Sequence, residues 1–597
     1  MAHNGSRLQV NFWFLSASGT YPFLNHTKTA QAWGFVSTGQ QPLPDSLNSD
    51  GFPISISNGG VYTVFFIPTQ TYRAGNYVIG WEGGGTIRRN FTNTILEGST
   101  TNLSGGVWNG ANGRCKISLG GAAASTGSID LGITAIDVAH PITNWWFVHE
   151  DDEIDFLAGE LFNPACIERL RNFGVIRFLD WQFASGSLLN TWNQMKQESS
   201  FSWTAPVCGV GMYRGETTNV GDAFTIDGGA APTDKQTISV LWNASAATDT
   251  PTLNGVTIGN GAGDSLGSTT RPLDDYVGTL VYDADLNIWL KAGGDTANLH
   301  VRGVANMVPI SVMLKLCKEV GAHPWLHVPF MALDPLTDFA TELATACKEY
   351  AEAEAPWMVP RFEPSNEVWN PTGGFAATRY AWNKAQVRAG WGGGDFQTHE
   401  WYGRVLSLMG EAVSDVYEDD RSKYQVICSV QTHSGATSSS NSRLGGKHVS
   451  VDGGDPASDW ATHVAMANYF SPTLSATDEL QLAHDYNGGD TTAPADLIDS
   501  LSVNANFGVP LVLGRVTDWK SWATSFGLGL TFYEGGYSPD YLGSNMTATI
   551  TGASKATQCV LTLASGSSFP PVGSSVSIAS VGGMTELNGN TIGRAHV

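Results

Sequence analysis

Largely apolar stretches of seven to twelve residues recur along the chain, most of them closed by a polar or aromatic residue, and amphipathic stretches follow most of them. Leu8 to Ser16 is the first such run. Gly174 to Trp181, Ala322 to Phe330, Ala355 to Asn366, Tyr424 to Val430, Ala461 to Phe470 and Leu528 to Glu534 follow. Continuous apolar runs of this length fit strands buried on both faces, which is the pattern of a parallel sheet. Between them, Asn163 to Asn172 reads as a helix that opens on Pro164, and Pro309 to Gly321 as an amphipathic helix closed by glycine. Leu336 to Ala353 carries apolar residues at helical spacing, and Gly374 to Tyr417, Ala495 to Phe507 and Val516 to Phe526 also read as helical. Phe23 to Trp33 is a further helix candidate. Strands alternating with helices predict an α/β protein with a (β/α)8 TIM-type barrel. Seven strand ends are found, near Ser16, Trp181, Phe330, Asn366, Val430, Phe470 and Glu534. The eighth strand is not identified.

The pattern changes twice. From residue 40 to 140, short alternating strands such as Gly60 to Ile67 and Tyr77 to Trp81 are punctuated by Gly, Asn and Thr, which predicts a sandwich-like β insertion. The barrel pattern resumes over 141–201, with Asn144 to Val148 read as its return. A second β-rich insertion, containing Thr237 to Trp242, covers 202–300. The barrel then runs through 301–543, having started in 1–39. Residues 544–597 form a short Thr/Ser/Gly-rich β module whose clearest strand is Cys559 to Leu563.

Composition narrows the partners. The net charge of −23 over 597 residues disfavours nucleic acid, anionic membrane surfaces and polyanionic glycans, so a neutral partner is expected. The seven cysteines are scattered and show no CxxC pair, so buried thiols are expected rather than a disulfide framework or a zinc site. The thirteen histidines show no HExxH-type spacing, and no metal or other cofactor is expected. Neither a signal peptide nor an apolar run of membrane-spanning length is seen.

Two strand ends carry carboxylates where packing alone does not ask for them. Arg361-Phe362-Glu363-Pro364-Ser365-Asn366-Glu367-Val368-Trp369-Asn370 ends one strand in Asn-Glu, and Thr531-Phe532-Tyr533-Glu534-Gly535-Gly536 ends another in Glu. Charged residues are rarely buried unless paired. Paired carboxylates are the equipment of glycoside hydrolysis, Glu367 serving as acid/base and Glu534 as nucleophile. Retention requires their carboxyls about 5–5.5 Å apart. The plainer readings are a strand-end Glu367 paired with Arg361, and a solvated Glu534 before a glycine turn. Trp181, Trp325, Trp369 and Trp401 are candidate sugar platforms or, equally, core residues. Glu363 lies on the same face as Glu367 in strict alternation, although Pro364 disturbs the register. Asp180 and His433 are further strand-end polar residues.

With these motifs placed, the chain resembles the clan A glycoside hydrolases, which are retaining (β/α)8 enzymes. Ser365-Asn366-Glu367-Val368-Trp369-Asn370 at the fourth strand and Tyr533-Glu534-Gly535 at the seventh carry the resemblance. It implies that Asn366 contacts the sugar 2-OH, that Arg177 and Tyr469 flank the nucleophile Glu534, and that His327 contacts substrate. The clan's strand-eight tryptophan has no identified counterpart. The resemblance covers about half the chain and leaves both β-rich insertions outside. The tail, through Val581 to Thr591, resembles a small β module of ubiquitin-activating enzymes that also recurs in bacteriophage tail proteins, here truncated. The expectation is a retaining hydrolase of β-linked neutral polysaccharide or oligosaccharide. The competing expectation is a phage tail or receptor-binding protein that holds surface glycans without cleaving them. An extracellular or virion-associated setting is expected, with virion components or further copies of the chain as partners.

Overall fold

The computed structural model describes the chain outside residues 12–21, 31–32, 37–38, 41–43, 67–72, 90–94, 120–127, 204–217, 221–222, 243–251, 260–275, 285–286, 292–307, 371–375, 387–396, 432–443, 445–448, 450–452, 471–491, 504–507, 538–549, 554–560, 564–574, 578–590, 594–597 and a few single positions. His433 falls outside the described residues. The chain divides into two compact units, Met1–Ala465 and Met466–Val597.

In the first unit the apolar runs form strands β1 (Gln9–Asn11), β2 (Val175–Arg177), β3 (His323–Val328), β4 (Arg361–Pro364) and β5 (Gln425–Ser429), each parallel to the one before. The first residues of β6 (His463–Phe470) continue the order by pairing with β5. In the second unit, the remainder of β6 is followed in the sheet order by β7 (Gly529–Tyr537). Seven strands thus stand in chain order, a topology compatible with a TIM-type barrel. The protein is a mixed α/β chain with a barrel-like parallel sheet and additional sheets.

The connecting helices bury the faces that the periodicity predicted. Helix α1 (Pro164–Leu170) starts with proline after an Asn163 cap, whose side chain accepts from Ala165 N. Helix α2 (Ile310–Val320) buries Val312, Met313, Leu316 and Cys317 and stops at Gly321, whose φ of 79° suits glycine. Helix α3 (Phe339–Glu354) buries Phe339, Ala340, Leu343, Ala344 and Cys347 along one stripe. The long helical stretch after β4 is two helices, α4 (Ala376–Gln386) and α5 (Gln397–Val416). In the second unit, α6 (Ala493–Val503) precedes α7 (Val509–Ser525), which begins earlier than the sequence indicated because Pro510 sits in its first turn.

The predicted helix over Phe23 to Trp33 is instead a single 3-10 turn, His26–Thr29. Buried Asn25 explains the difference. Its Oδ1 accepts from Thr27 N, Thr27 Oγ1 and Phe147 N at 2.9–3.1 Å. These bonds compete with helix propagation.

The first insertion is a two-sheet sandwich. Val61–Phe66, Ser128–Ile136 and Gly85–Arg89 form one sheet. Thr143–His149, Gly75–Glu82, Gly113–Leu119 and Ile95–Gly98 form the other. Residues of both sheets, among them Trp81, Trp145, Ile117, Leu131 and Phe147, share one core. Asn144 to Val148 therefore does not begin the return of the barrel; it is an edge strand of the sandwich, antiparallel to Gly75–Glu82. A short apolar strand buried in a sandwich has the same local pattern as one buried in a parallel sheet. The ends of this insertion are pinned together: Phe23 bridges Phe162, Leu24 N donates to Leu161 O and Asn163 N to Pro22 O.

In the second insertion, Thr237–Trp242 pairs antiparallel with Tyr276–Asp283 within a seven-stranded sheet. The tail contributes two antiparallel pairs, Ile550–Ala553 with Leu561–Leu563 and Ser575–Ser577 with Thr591–Gly593.

The five described cysteines, Cys115, Cys166, Cys317, Cys347 and Cys428, are buried. No helix among the described residues is long and apolar enough to cross a membrane.

Two predictions arise from the fold. Gly535 has a φ of 153°, and a Cβ there would run into Asn468 of the neighbouring strand, side chain and backbone alike. Gly535→Ala is expected to destabilise the second unit by about 2 kcal/mol or more through strain and overpacking. Differential scanning calorimetry checks this, and an unchanged transition contradicts it. The second concerns acid. Burial lowers His323 and His463 to about 4 and His26 to about 3. Their unfolded forms bind protons near 6.5, so the unfolded chain takes up more protons between pH 6.5 and 4 and stability falls across that window. The urea midpoint is expected to drop steadily from pH 7 to pH 4, and a flat profile contradicts the assignment.

Candidate functional site

The register of the parallel sheet decides which side chains meet. Arg177 of β2 stands beside Trp325 of β3, which stands beside Arg361 of β4, and His327 of β3 stands beside Glu363 of β4. Register neighbours in a sheet project to the same face. Five side chains, four of them ionisable, are thereby brought to one face across three strands.

Glu363 is their centre, 1% exposed. Its Oε2 accepts from Arg177 Nε at 3.1 Å, Arg177 Nη2 at 2.9 Å and Trp325 Nε1 at 2.8 Å, while Oε1 accepts from Ser429 Oγ of β5 at 2.6 Å. His327 Nε2 lies 3.1 Å from Oε2. Burial alone pushes the carboxyl up. The Arg177 charge, together with His327 and the Ser429 hydrogen bond, overcomes this and holds it at about 2. Burial, then the Arg177 charge, lowers His327, so the ring is neutral at pH 7. A neutral ring meets Glu363 favourably only with its proton on Nε2. Gln182 fixes the same residue from behind, accepting from His327 N at 2.8 Å and donating to its carbonyl at 3.0 Å. Trp325 is fully buried with Arg177 and Arg361 each 5.4 Å from its ring.

From this hub the order passes to Asn366 and Glu367. Arg177 Nη2 donates to Asn366 Oδ1 at 2.7 Å, and Asn366 Nδ2 donates to Ser185 Oγ at 2.9 Å. Beyond β4 the chain turns sharply: Ser365 has a φ of 56° and Glu367 a φ of 41°. Each such non-glycine residue costs on the order of 1–3 kcal/mol and persists only where its surroundings impose it. The imposing contacts are Ser365 N to Val328 O (2.9 Å), Ser365 Oγ to Ala184 O (3.2 Å) and Asn370 N to Glu367 O (2.8 Å). Thr378 Oγ1 of α4 adds bonds to the carbonyls of Glu367 (3.2 Å) and Asn370 (2.7 Å). The Glu367 carboxylate is half-buried and accepts from Asn370 Nδ2 at 2.9 Å. Two strained residues held by five hydrogen bonds form a device for aiming one carboxylate.

The first unit thus gathers Arg177 and His327 on Glu363 and ties Asn366 to Arg177, with Glu367 next in the chain and held by Asn370. The resemblance implied that Arg177 flanks Glu534; in the first unit Arg177 bonds Glu363 and Asn366. Glu534 and Tyr469 belong to the second unit. Glu534 is half-buried on β7, and Tyr469 on the adjoining strand β6 is 48% exposed. No protein-family model matches this chain, and neither does any curated protein. The chemistry of the side chains therefore carries the functional assignment by itself.

The tryptophans divide. Trp369 is half-buried in the Glu367 turn, edge-on to Tyr402. Trp181 is buried against Phe23 and Phe178, and Trp401 is fully buried with its Nε1 donating to Asp334 Oδ2 at 3.0 Å. Trp181 and Trp401 are core side chains in this structure. Asp180 is half-buried beyond β2. The sequence puts Glu363 on the face of Glu367 but assigns it no role, and it does not single out Ser429 or Gln182. The further signal was Arg177, two strands away at the level of Arg361, a cation able to meet a buried carboxylate. Among the described residues, no group of three or more His, Cys, Asp or Glu is arranged to hold a metal ion.

Proposed function

We propose that the protein is a retaining glycoside hydrolase acting on β-linked neutral polysaccharide or oligosaccharide, with a (β/α)8-type core. Glu367 is the acid/base and Glu534 the nucleophile of a double displacement. The observation that carries this reading is the Glu367 turn: a half-buried carboxylate at the C-terminal end of a parallel strand, held in strained backbone and preceded by an asparagine locked to a buried arginine. The C-terminal ends of parallel strands are where barrel enzymes place their chemistry. Asn366 would present its amide to the sugar 2-OH, a contact that strengthens as the oxocarbenium ion forms. Glu534 supports the reading by its place near the end of the last strand in the sheet order. The acidic chain selects against polyanionic substrates.

The test is direct. The full chain is incubated with a panel of neutral β-glycans, and the anomer first released is read by proton NMR. Retained β-configuration is the expected result. Inverted product contradicts the double displacement. Saturable glycan binding with no product across the panel overturns the hydrolase in favour of a glycan-binding protein.

A further inference from the structure

The second β-rich insertion makes a buried charged contact with the helix that holds the Glu367 turn. Asp283 ends the strand Tyr276–Asp283, and its Oδ2 lies 3.5 Å from Lys384 Nζ of α4, with side chains 2% and 4% exposed. The end of that hairpin is itself well fixed. Trp289 is fully buried with Nε1 donating to Leu253 O at 3.1 Å, and Ala284 N donates to Asp234 Oδ1 at 2.9 Å. On α4, Lys384 lies one turn beyond Tyr380 with its Nζ 5.5 Å from that ring. Tyr380 in turn donates to Asp334 O at 3.0 Å. Two residues before Tyr380 begins the contact with the site, through the two Thr378 bonds to Glu367 O and Asn370 O.

A buried ammonium and carboxylate are not separable at low cost, because the one left behind is an uncompensated charge in a poorly solvating place. The hairpin end and α4 therefore move together, and α4 carries Thr378 with it. We propose that Asp283 is a positioning residue for Glu367: acting through Lys384 and α4, it sets the turn that aims the acid/base. The second insertion is then part of the frame of the site. This rests on the reading of Glu367 as the acid/base.

The experiment uses Asp283→Asn and Lys384→Met in the full chain, with two readouts. The first is amide hydrogen exchange at Asn370, whose N–H closes the turn onto Glu367 O. Exchange is expected to rise about tenfold in either variant as the turn loosens locally. The second is hydrolysis, with kcat expected to fall about tenfold and KM to stay within about twofold, since aim and not substrate affinity is lost. Asp283→Glu, which keeps the charge, is expected to return both within about threefold of the parent. Asp283→Asn/Lys384→Met removes both charges of the pair together and covers the case in which a single variant does not fold; there exchange is expected about threefold or more above the parent. Parent-like exchange at Asn370 in the folded variants overturns the proposal. A parent that hydrolyses no glycan removes the hydrolase reading, while the exchange data still decide the coupling.

Discussion

Glu363→Gln is expected to cost about 3–5 kcal/mol of folding stability, the penalty of leaving a buried partner charge uncompensated. The substitution preserves shape but removes the anion that Arg177 meets through two of its nitrogens. Arg177 is 1% exposed and held over Trp325, so it has no inexpensive route to solvent. Urea denaturation at pH 7 measures the effect, and a loss below about 1 kcal/mol would remove Glu363 from the centre of this account. The pH dependence gives a second check. The folded Glu363 carboxyl, at about 2, lies below its ordinary value of 4.5, so its contribution is complete above pH 4.5 and disappears as pH falls toward 2. The gap between parent and variant is therefore expected to close in acid. Glu363→Leu combined with Arg177→Met, which strands no charge, is expected to recover more than half of the lost stability. Hydrolysis is expected to stay impaired in that double variant, because Asn366 has lost the Arg177 bond that orients it.

Glu367→Gln is expected to slow hydrolysis by on the order of 10²–10⁴-fold where the leaving group is a sugar hydroxyl, the usual contribution of a positioned general acid. Glutamine can still accept from Asn370, so the turn keeps its geometry and the loss reports proton transfer. The same variant is expected to lose far less on aryl glycosides with an acidic phenol, which leaves without a proton. The acid-requiring limb of the pH–rate profile is expected to vanish. Glu534→Gln, by contrast, is expected to stop turnover on both substrates, because no covalent bond to the enzyme forms. Equal slowing of both substrates by the two variants would mean that the roles are misassigned. Full activity in Glu367→Gln would mean that the strained turn serves something other than catalysis.

The sheet was legible because its strands are short, apolar and end in conspicuous residues. Of the predicted strand ends, Phe330, Asn366, Val430 and Phe470 fall at the end of a strand of the sheet or within two residues beyond it, Trp181 falls four residues beyond its strand, Glu534 lies within the last strand, and Ser16 lies outside the described residues. Asn144 to Val148 misled, since periodicity records that a strand is buried and not which sheet buries it. The Asn366-Glu367 stretch stood out in the sequence, but its geometry did not: nothing in Pro364-Ser365-Asn366 announces two positive φ angles. Glu363 was harder still. Its role depends on Arg177, Trp325 and Ser429, which come together only through parallel registers spanning hundreds of residues of chain. Trp401 is open in the sequence between sugar platform and core residue, and its burial and its bond to Asp334 depend on tertiary contacts that the local sequence does not record.

The paired ends of the sandwich bear on how the sheet assembles. Strand β1 is three residues long and meets β2 only after the whole sandwich has intervened, Gln9 opposite Val175. Closing such a flexible span outright is entropically unfavourable and makes for slow folding. The bridge between Phe23 and Phe162 changes the problem. Once the sandwich has folded, its two ends are already adjacent, and the effective span shrinks from roughly 170 residues to roughly 30, which spares about 1.5 kcal/mol of loop entropy. The insertion thus works as a clasp, and an early sandwich would be a kinetic precondition for the first strand of the sheet to find its neighbour.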